Sequence, residues 1–455
     1  MRDDVVYLLA EAAIVVFGSA AAFHPSVRDF PWPARLAAAL AAGSVILALE
    51  ATIFSILHIA WSVGTLAAPL LLASGLLAFV WSRREAAGRS ERPGPPTDRP
   101  IALVLSSLGF LYLLLSLALS ASTSVDYLLF WGVKAVRFAE ARGIDAAFLR
   151  SGYSYHAVPD YPPLVPILQA WGALASGKMP WRLNPILSAV WAIAAAAILV
   201  PLLRRKLGAP AWVVLAFWSV ALSFSLAYSY SGGNAEAPLL FFETVAVASL
   251  LTESETNPSR FLAGIALCGA VLTKVEGTAA ALALIAGTLL RDLSRRQTGA
   301  VAGASRLAIG PALGLVVWFS YQRSAGLQVG YRPHGELLRL YPSHWGSIAQ
   351  NMVYFLNAGT LWLSWTIPLL FLAWFARHWR RVLPALALAL GLMGFLVFDY
   401  LHDKDDPAVR IGWTLPRASQ PALSALILGA GIAALARRHE PDISSSAAEI
   451  PSFSE

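Results

Sequence analysis

The sequence predicts an all-α polytopic membrane protein with about 11–13 transmembrane helices and one large outer loop carrying interfacial helices. Three observations lead there. The 455 residues are 57% hydrophobic and 13% charged, with a mean hydropathy of +0.61, whereas a soluble domain carries about a quarter charged residues. Apolar runs long enough to cross a bilayer recur along the chain. Basic residues gather at the ends of those runs, on one side of the implied membrane.

A crossing helix takes about 20 apolar residues, with a range of about 17–25. Runs of that kind cover 5–23, 36–57, 62–81, 101–121, 184–203, 211–228, 236–252, 306–321, 357–376, 382–399 and 421–436. The first reads as a retained span rather than a cleaved signal peptide, because Asp3 and Asp4 cancel the charge of Arg2. Two shorter runs, 261–273 and 278–290, flank Lys274-Val275-Glu276-Gly277 and read as a broken pair or a membrane hairpin. Sixteen tryptophans suit the membrane interface. Cys268 is the single cysteine, which excludes an intramolecular disulfide and a cysteine metal cluster.

The basic residues set orientation. Arg83, Arg84, Arg89, Arg92 and Arg99 mark one side, in a Pro/Gly-rich linker expected to be disordered. Arg204-Arg205-Lys206, then Arg291, Arg295, Arg296 and Arg306, then Arg377, Arg380, Arg381, Arg437 and Arg438 mark the same side. Taking that side as cytoplasmic places 122–183, 229–235, 322–356 and 400–420 outside. The net charge of +7 is then a topology signal, and the chain holds no Arg/Lys block of the nucleic-acid kind. The tail 437–455 is Ser-rich and expected to be disordered.

The loop 122–183 is where chemistry is expected, since it is long and rich in Asp, His, Tyr and Trp. Within it, 128–142 reads as an amphipathic interfacial helix, with Lys134, Arg137 and Glu140 on one stripe and Leu128, Trp131, Ala135 and Phe138 on another. The stretch 162–176 holds Pro162, Pro163 and Pro166 in its first turns and reads as a short helix at or partly within the outer interface.

The candidate chemical residues follow. Asp126 lies just past the span 101–121, at the headgroup boundary, as either a general base or the cap of the helix after it. His156 is a ligand, a proton shuttle or a surface histidine; Asp160 is placed to cap the next helix, and the prolines after it fix where Tyr161 points, which suits a pocket wall. Glu236 opens a span from a loop without basic residues, and either answers a cationic helix N-terminus or faces the cavity of Asp126. Lys274 and Glu276 are charges at membrane depth; they neutralise each other, or the break in the helix lets Lys274 hold a phosphate. Arg417, at the entry to the last span, is a candidate phosphate contact from the later outer loops, which also carry Arg332, His334, Glu336, Arg339, His344, His402 and Arg410. Asp403-Lys404-Asp405-Asp406 lacks the glycine and distal Glu of a calcium loop and reads as a solvated turn. No Walker loop, HExxH or GxSxG is present.

Four of these segments, in this order, resemble a known pattern: Asp126-Tyr127-Leu128-Leu129-Phe130-Trp131 with Lys134-Ala135; Asp160-Tyr161-Pro162-Pro163-Leu164; Asn234-Ala235-Glu236-Ala237-Pro238-Leu239; and Leu272-Thr273-Lys274-Val275-Glu276-Gly277. The chain is similar to the GT-C class of membrane glycosyltransferases, especially bacterial members like the protein O-mannosyltransferases and lipid A aminoarabinose transferase. The similarity covers roughly 101–330, with weaker echoes to 420. It divides the chain into a three-span N-terminal segment (1–82), a cytoplasmic linker (83–100), a GT-C-like catalytic module (101–330), C-terminal spans and outer loops (331–436) and the tail (437–455).

The resemblance implies an inverting transfer from a polyprenyl-phosphate-linked sugar to a hydroxyl on a glycolipid, glycan or protein, at the outer face of the plasma (inner) membrane. Asp126 would be the base. No cofactor is certain; a divalent metal is an open expectation, although relatives often carry two adjacent acids where this chain has Asp126-Tyr127. Tyr161 stands where aminoarabinose transferases have a lysine, so the phosphate contact falls to Lys274, Arg332 or Arg417. A transporter or flippase of a lipid-linked glycan is the competing expectation. It would show broken helices in both halves, whereas here the break at 274–277 dominates.

Overall fold

The computed structural model describes residues 2–86, 100–120, 125–151, 159, 161–228, 233–253, 260–327, 339–357, 368–369, 379–403 and 406–435. Among them every regular element is a helix and none is a strand. Among the described residues five helices are long and apolar enough to cross a membrane: Trp32–Ile56, Val63–Arg83, Leu183–Leu207, Ala300–Ser324 and Trp379–Leu401. A sixth crossing is available if Ala408–Ala418 and Gln420–Leu435, bent by 42°, count as one. This fits a multi-pass membrane protein. Every expected apolar run is helical except 357–376, most of which lies outside the described residues.

Helices α1 (Arg2–Phe17) and α2 (Trp32–Ile56) cross backbone to backbone. A Cβ at Gly18 would overlap the backbone of Ala39 and Gly43, and one at Gly43 would overlap Ile14. Lipid supplies no hydrophobic drive between helices, so close approach over small residues is what holds such a pair. Helix α3 (Val63–Ala86) starts with a reciprocal cap, the Thr65 N–H donating to Ser62 Oγ (3.0 Å) and the Ser62 N–H to Thr65 Oγ1 (2.8 Å). Only 17% of its spanning window is buried. Leu72, Leu76 and Phe79 project outward, an apolar surface that water would not tolerate and lipid does. The helix runs on to Ala86, past the expected linker start at 83, and 87–99 lies outside the described residues.

Helix α4 (Pro100–Ser120) leads to the large loop. There a π-type turn (Tyr127–Trp131) runs into α5 (Gly132–Ala141), followed by a short helix α6 (Ala146–Arg150). The loop is tied down by Trp61 N–H to Arg142 O (2.8 Å), Ile144 N–H to Ser55 Oγ (3.1 Å) and Tyr321 OH to Ile144 O (2.9 Å). The expected amphipathic helix is present, but Lys134 joins its buried face and Leu128 leaves it. Tyr127, Trp131, Lys134, Ala135 and Phe138 are buried, while Leu128, Arg137 and Glu140 are exposed. Lys134 lies about one turn from both Trp131 and Phe138 and faces inward with them, its ammonium 5.5 Å from the Trp131 ring centre.

Helix α7 (Leu164–Ser176) is the short helix expected over 162–176. It does not lie at the edge of the fold: every residue from Leu164 to Ala173 is buried, packed against α1, α2 and α5. Its Pro163 start is tolerated because the first-turn N–H groups need no helical partner. Trp171 Nε1 donates to Ala10 O (2.7 Å), pinning α7 to α1.

The centre of the bundle is α10. Helices α8 (Leu183–Leu207) and α9 (Ala211–Tyr228) precede it, and α10 (Glu236–Leu251) is buried along its whole length. Helices α11 (Arg260–Thr273) and α12 (Val275–Ser294) form the hairpin that the sequence left open as one of two readings. The break is one residue, Lys274, in an extended conformation (φ −152°, ψ 163°). Gly277 makes the tight return possible, since a Cβ there would overlap Ala270. Helix α13 (Ala300–Ser324) packs on α11, and α14 (Trp345–Asn357), α15 (Trp379–Leu401), α16 (Ala408–Ala418) and α17 (Gln420–Leu435) complete the fold. Ser424 of α17 accepts from Trp218 Nε1 (2.8 Å) and shares a 2.8 Å hydrogen bond with Thr244, joining α9, α17 and α10.

Candidate functional site

Helices α10, α11 and α12 run antiparallel in turn, so a charge at the start of α10 meets two at the hairpin break, at one end of the bundle. Glu236 lies in the first turn of α10, Lys274 at the hairpin break and Glu276 in the first turn of α12. Lys274 Nζ sits 3.2 Å from Glu236 Oε1 and 2.9 Å from Glu276 Oε1. All three are nearly enclosed, with side-chain exposures of 7% for Lys274, 4% for Glu236 and 12% for Glu276.

Arg417, near the end of α16, extends the network. Its Nε lies 3.6 Å from Glu236 Oε1, and its Nη1 pairs with Asp126 Oδ2. Asp126 is thus not a helix cap; its side chain makes no capping hydrogen bond to the turn that follows it. The order Asp126–Arg417–Glu236–Lys274–Glu276 alternates in sign, which is how ionised groups persist where water is scarce. The Tyr161 ring stands 5.7 Å from Lys274 Nζ and stacks on Trp131 at 5.8 Å, giving the site an aromatic side.

Five sequence-predicted residues besides Asp126 therefore converge: Tyr161, Glu236, Lys274, Glu276 and Arg417. His156, Asp160 and Arg332, like His334 and Glu336, lie outside the described residues. His344 and Arg339 do not join the network: each packs on Tyr341, with ring centres 5.7 Å apart for His344 and the Arg339 guanidinium 5.3 Å from the ring. Asp403 and Asp406 have structural partners, Asp403 accepting from Arg410 Nη1 (3.0 Å) and Asp406 from Ser347 Oγ (2.7 Å) and the Ala408 N–H (3.0 Å). Asp406 lies outside the spans, and those two hydrogen bonds hold its carboxyl below the usual value.

Sequence reading missed Glu243 and Asp399. Glu243 lies two turns below Glu236, fully buried, with neither carboxyl oxygen hydrogen-bonded among the described residues. An acid in the middle of the apolar run 236–252 was the available signal. Asp399 accepts from Arg410 Nη2 at 2.5 Å, a pairing between two helices with no local sequence signature.

Chemically, the arrangement offers one half-buried carboxylate (Asp126, side chain 24% exposed) beside two cations that can hold an anion. Among the described residues no group of three or more His, Cys, Asp or Glu is placed to hold a metal ion. No protein-family model, curated protein or solved structure matches the chain.

Proposed function

We propose that the chain is an integral-membrane glycosyltransferase of GT-C type. In this reading it has about 11–13 spans in the plasma membrane and a site open to the outer face. The donor is a polyprenyl-phosphate-linked sugar, and the acceptor is a hydroxyl of a glycolipid, glycan or protein. The observation that carries the reading is the convergence of Asp126, Arg417, Glu236 and Lys274 on one polar network at one end of an apolar bundle. A lipid-linked phosphate needs its carrier in lipid and its charge met at the boundary, and that is where Lys274 and Arg417 would lie.

The step is a single displacement. The acceptor oxygen attacks the anomeric carbon as the bond from that carbon to the donor phosphate oxygen breaks. The hydroxyl proton passes to Asp126, and the lipid phosphate leaves as an anion held by Arg417 and Lys274. An incoming phosphate competes with Asp126 for Arg417, which would free the carboxylate as the donor binds. Glu236 keeps both cations in place, and the Tyr161–Trp131 stack supplies a flat wall for a sugar ring.

Asp126→Asn keeps the shape and removes the base. With normal membrane levels, transfer from a polyprenyl-phosphate sugar should fall by roughly 10²–10⁴-fold, the usual contribution of a positioned general base. Full retained activity would remove Asp126 from the reaction.

A further inference from the structure

A second charged cluster closes the other end of the same three helices. Glu253 follows α10, Arg260 begins α11, and Arg291 and Asp292 lie in the last turns of α12. Arg260 donates to Glu253 (2.8 Å) and Asp292 (2.6 Å); Arg291 donates to Glu253 (2.6 Å), Asp292 (2.9 Å) and Leu250 O (2.5 Å). Helix α10 runs 16 residues from Glu236 to Leu251, about 23 Å end to end at 1.5 Å per residue. The two clusters therefore stand about one hydrocarbon thickness apart, near the two edges of an apolar slab.

This cluster borders a cavity of about 700 Å³ between α11, α12 and the start of α13. Four arginines line it (Arg260, Arg291, Arg295 and Arg306) against two acids, Glu253 and Asp292. The buried acids fix Arg260 and Arg291 in place, and Arg306 adds a further positive charge to the cavity wall. Gly303 makes room for the Arg260 guanidinium, since a Cβ there would overlap it. Arg306 is exposed on α13, and no carboxylate pairs with it among the described residues. Besides Gln297 and Thr298, the rest of the wall is apolar and includes Phe261, Ile265 and Ile309, the last 65% exposed on the outer surface of the bundle.

We propose that this cavity binds the phosphate of an anionic phospholipid, with an acyl chain along Ile265 and Ile309. A soluble anion would need the arginines alone; a lipid uses both the cations and the outward apolar wall. Its place among the basic span ends matches where anionic headgroups meet basic pockets between membrane helices. The site is separate from the Asp126 network and does not depend on the transferase reading.

The test uses the purified full-length protein in neutral detergent, with added phosphatidylglycerol, phosphatidylcholine or inorganic phosphate. Binding is read by native mass spectrometry and by the thermal unfolding midpoint. Phosphatidylglycerol should bind and raise the midpoint, with phosphatidylcholine and phosphate having little effect. Arg306→Gln, on an exposed helix face, should weaken phosphatidylglycerol roughly fivefold, as expected for loss of one lipid-facing arginine worth about 1 kcal/mol, and Arg295→Gln with Arg306→Gln should weaken it further. Equal binding of phosphatidylcholine, or wild-type phosphatidylglycerol affinity in the double variant, would overturn the site. Inorganic phosphate matching the lipid would overturn the lipid assignment.

Discussion

Lys274 is the residue on which the Asp126 network depends, because its ammonium is the shared partner of two buried carboxylates from different helices. At 7% exposure it gains little from water and is little screened by it. Removing one member of such a pair leaves charge buried without a partner, at a cost of about 3–5 kcal/mol. Lys274→Met should therefore lower stability by that order in detergent unfolding. Adding Glu236→Gln to it should restore part of the loss, because the orphaned charge goes too. An unchanged midpoint in the single variant would show that Lys274 does not hold these acids. The same residue carries the phosphate role proposed above, so the stability measurement should precede any assay of donor binding.

At the level of elements, glycines set how closely helices approach. Gly43 of α2 and Gly18 after α1 let two backbones touch, and even one methyl would collide there. Gly43→Leu should cost roughly 1–3 kcal/mol through overpacking and lower the folded yield in membranes. Gly75 of α3 is the matched control, with nothing within 4 Å of an added Cβ; Gly75→Ala should be neutral or gain up to about 1 kcal/mol of helix propensity. Equal behaviour of the two would mean that the α1–α2 crossing is not formed by close backbone contact. Lys274 illustrates the opposite device: one extended residue turns what would be a continuous apolar helix into a hairpin, and so brings a charge to the end of the bundle.

At the level of the molecule, α13 fixes which parts lie far apart. The loop carrying α6 is tied to its C-terminal turn through Tyr321 and Ile144, while Thr298 precedes its N-terminus. Its 25 residues span about 37 Å at 1.5 Å per residue, enough to cross a bilayer. Cys268 is buried and should be silent to thiol reagents. A cysteine at Ala147 should label with an impermeant maleimide from outside intact cells, and one at Thr298 only after permeabilisation. Labelling of both from the same side would overturn the through-membrane arrangement.

What the sequence determined by itself is the helical, membrane-crossing character and the placement of most elements. Lipid imposes a minimum apolar length and forbids unpaired backbone, so runs such as 36–57 and 184–203 declare themselves residue by residue. Charges that break that rule, Lys274 and Glu276 among them, were legible for the same reason. Where pairing depends on helices distant in the chain, the tertiary structure decided. Arg417 meets Asp126 across 291 positions, Lys134 faces inward with Trp131 and Phe138, and α7 is buried against α1 and α5. Local pattern fixes whether a segment can sit in lipid; which charges neutralise one another there is set by packing, because a buried charge persists only where the fold brings it a partner.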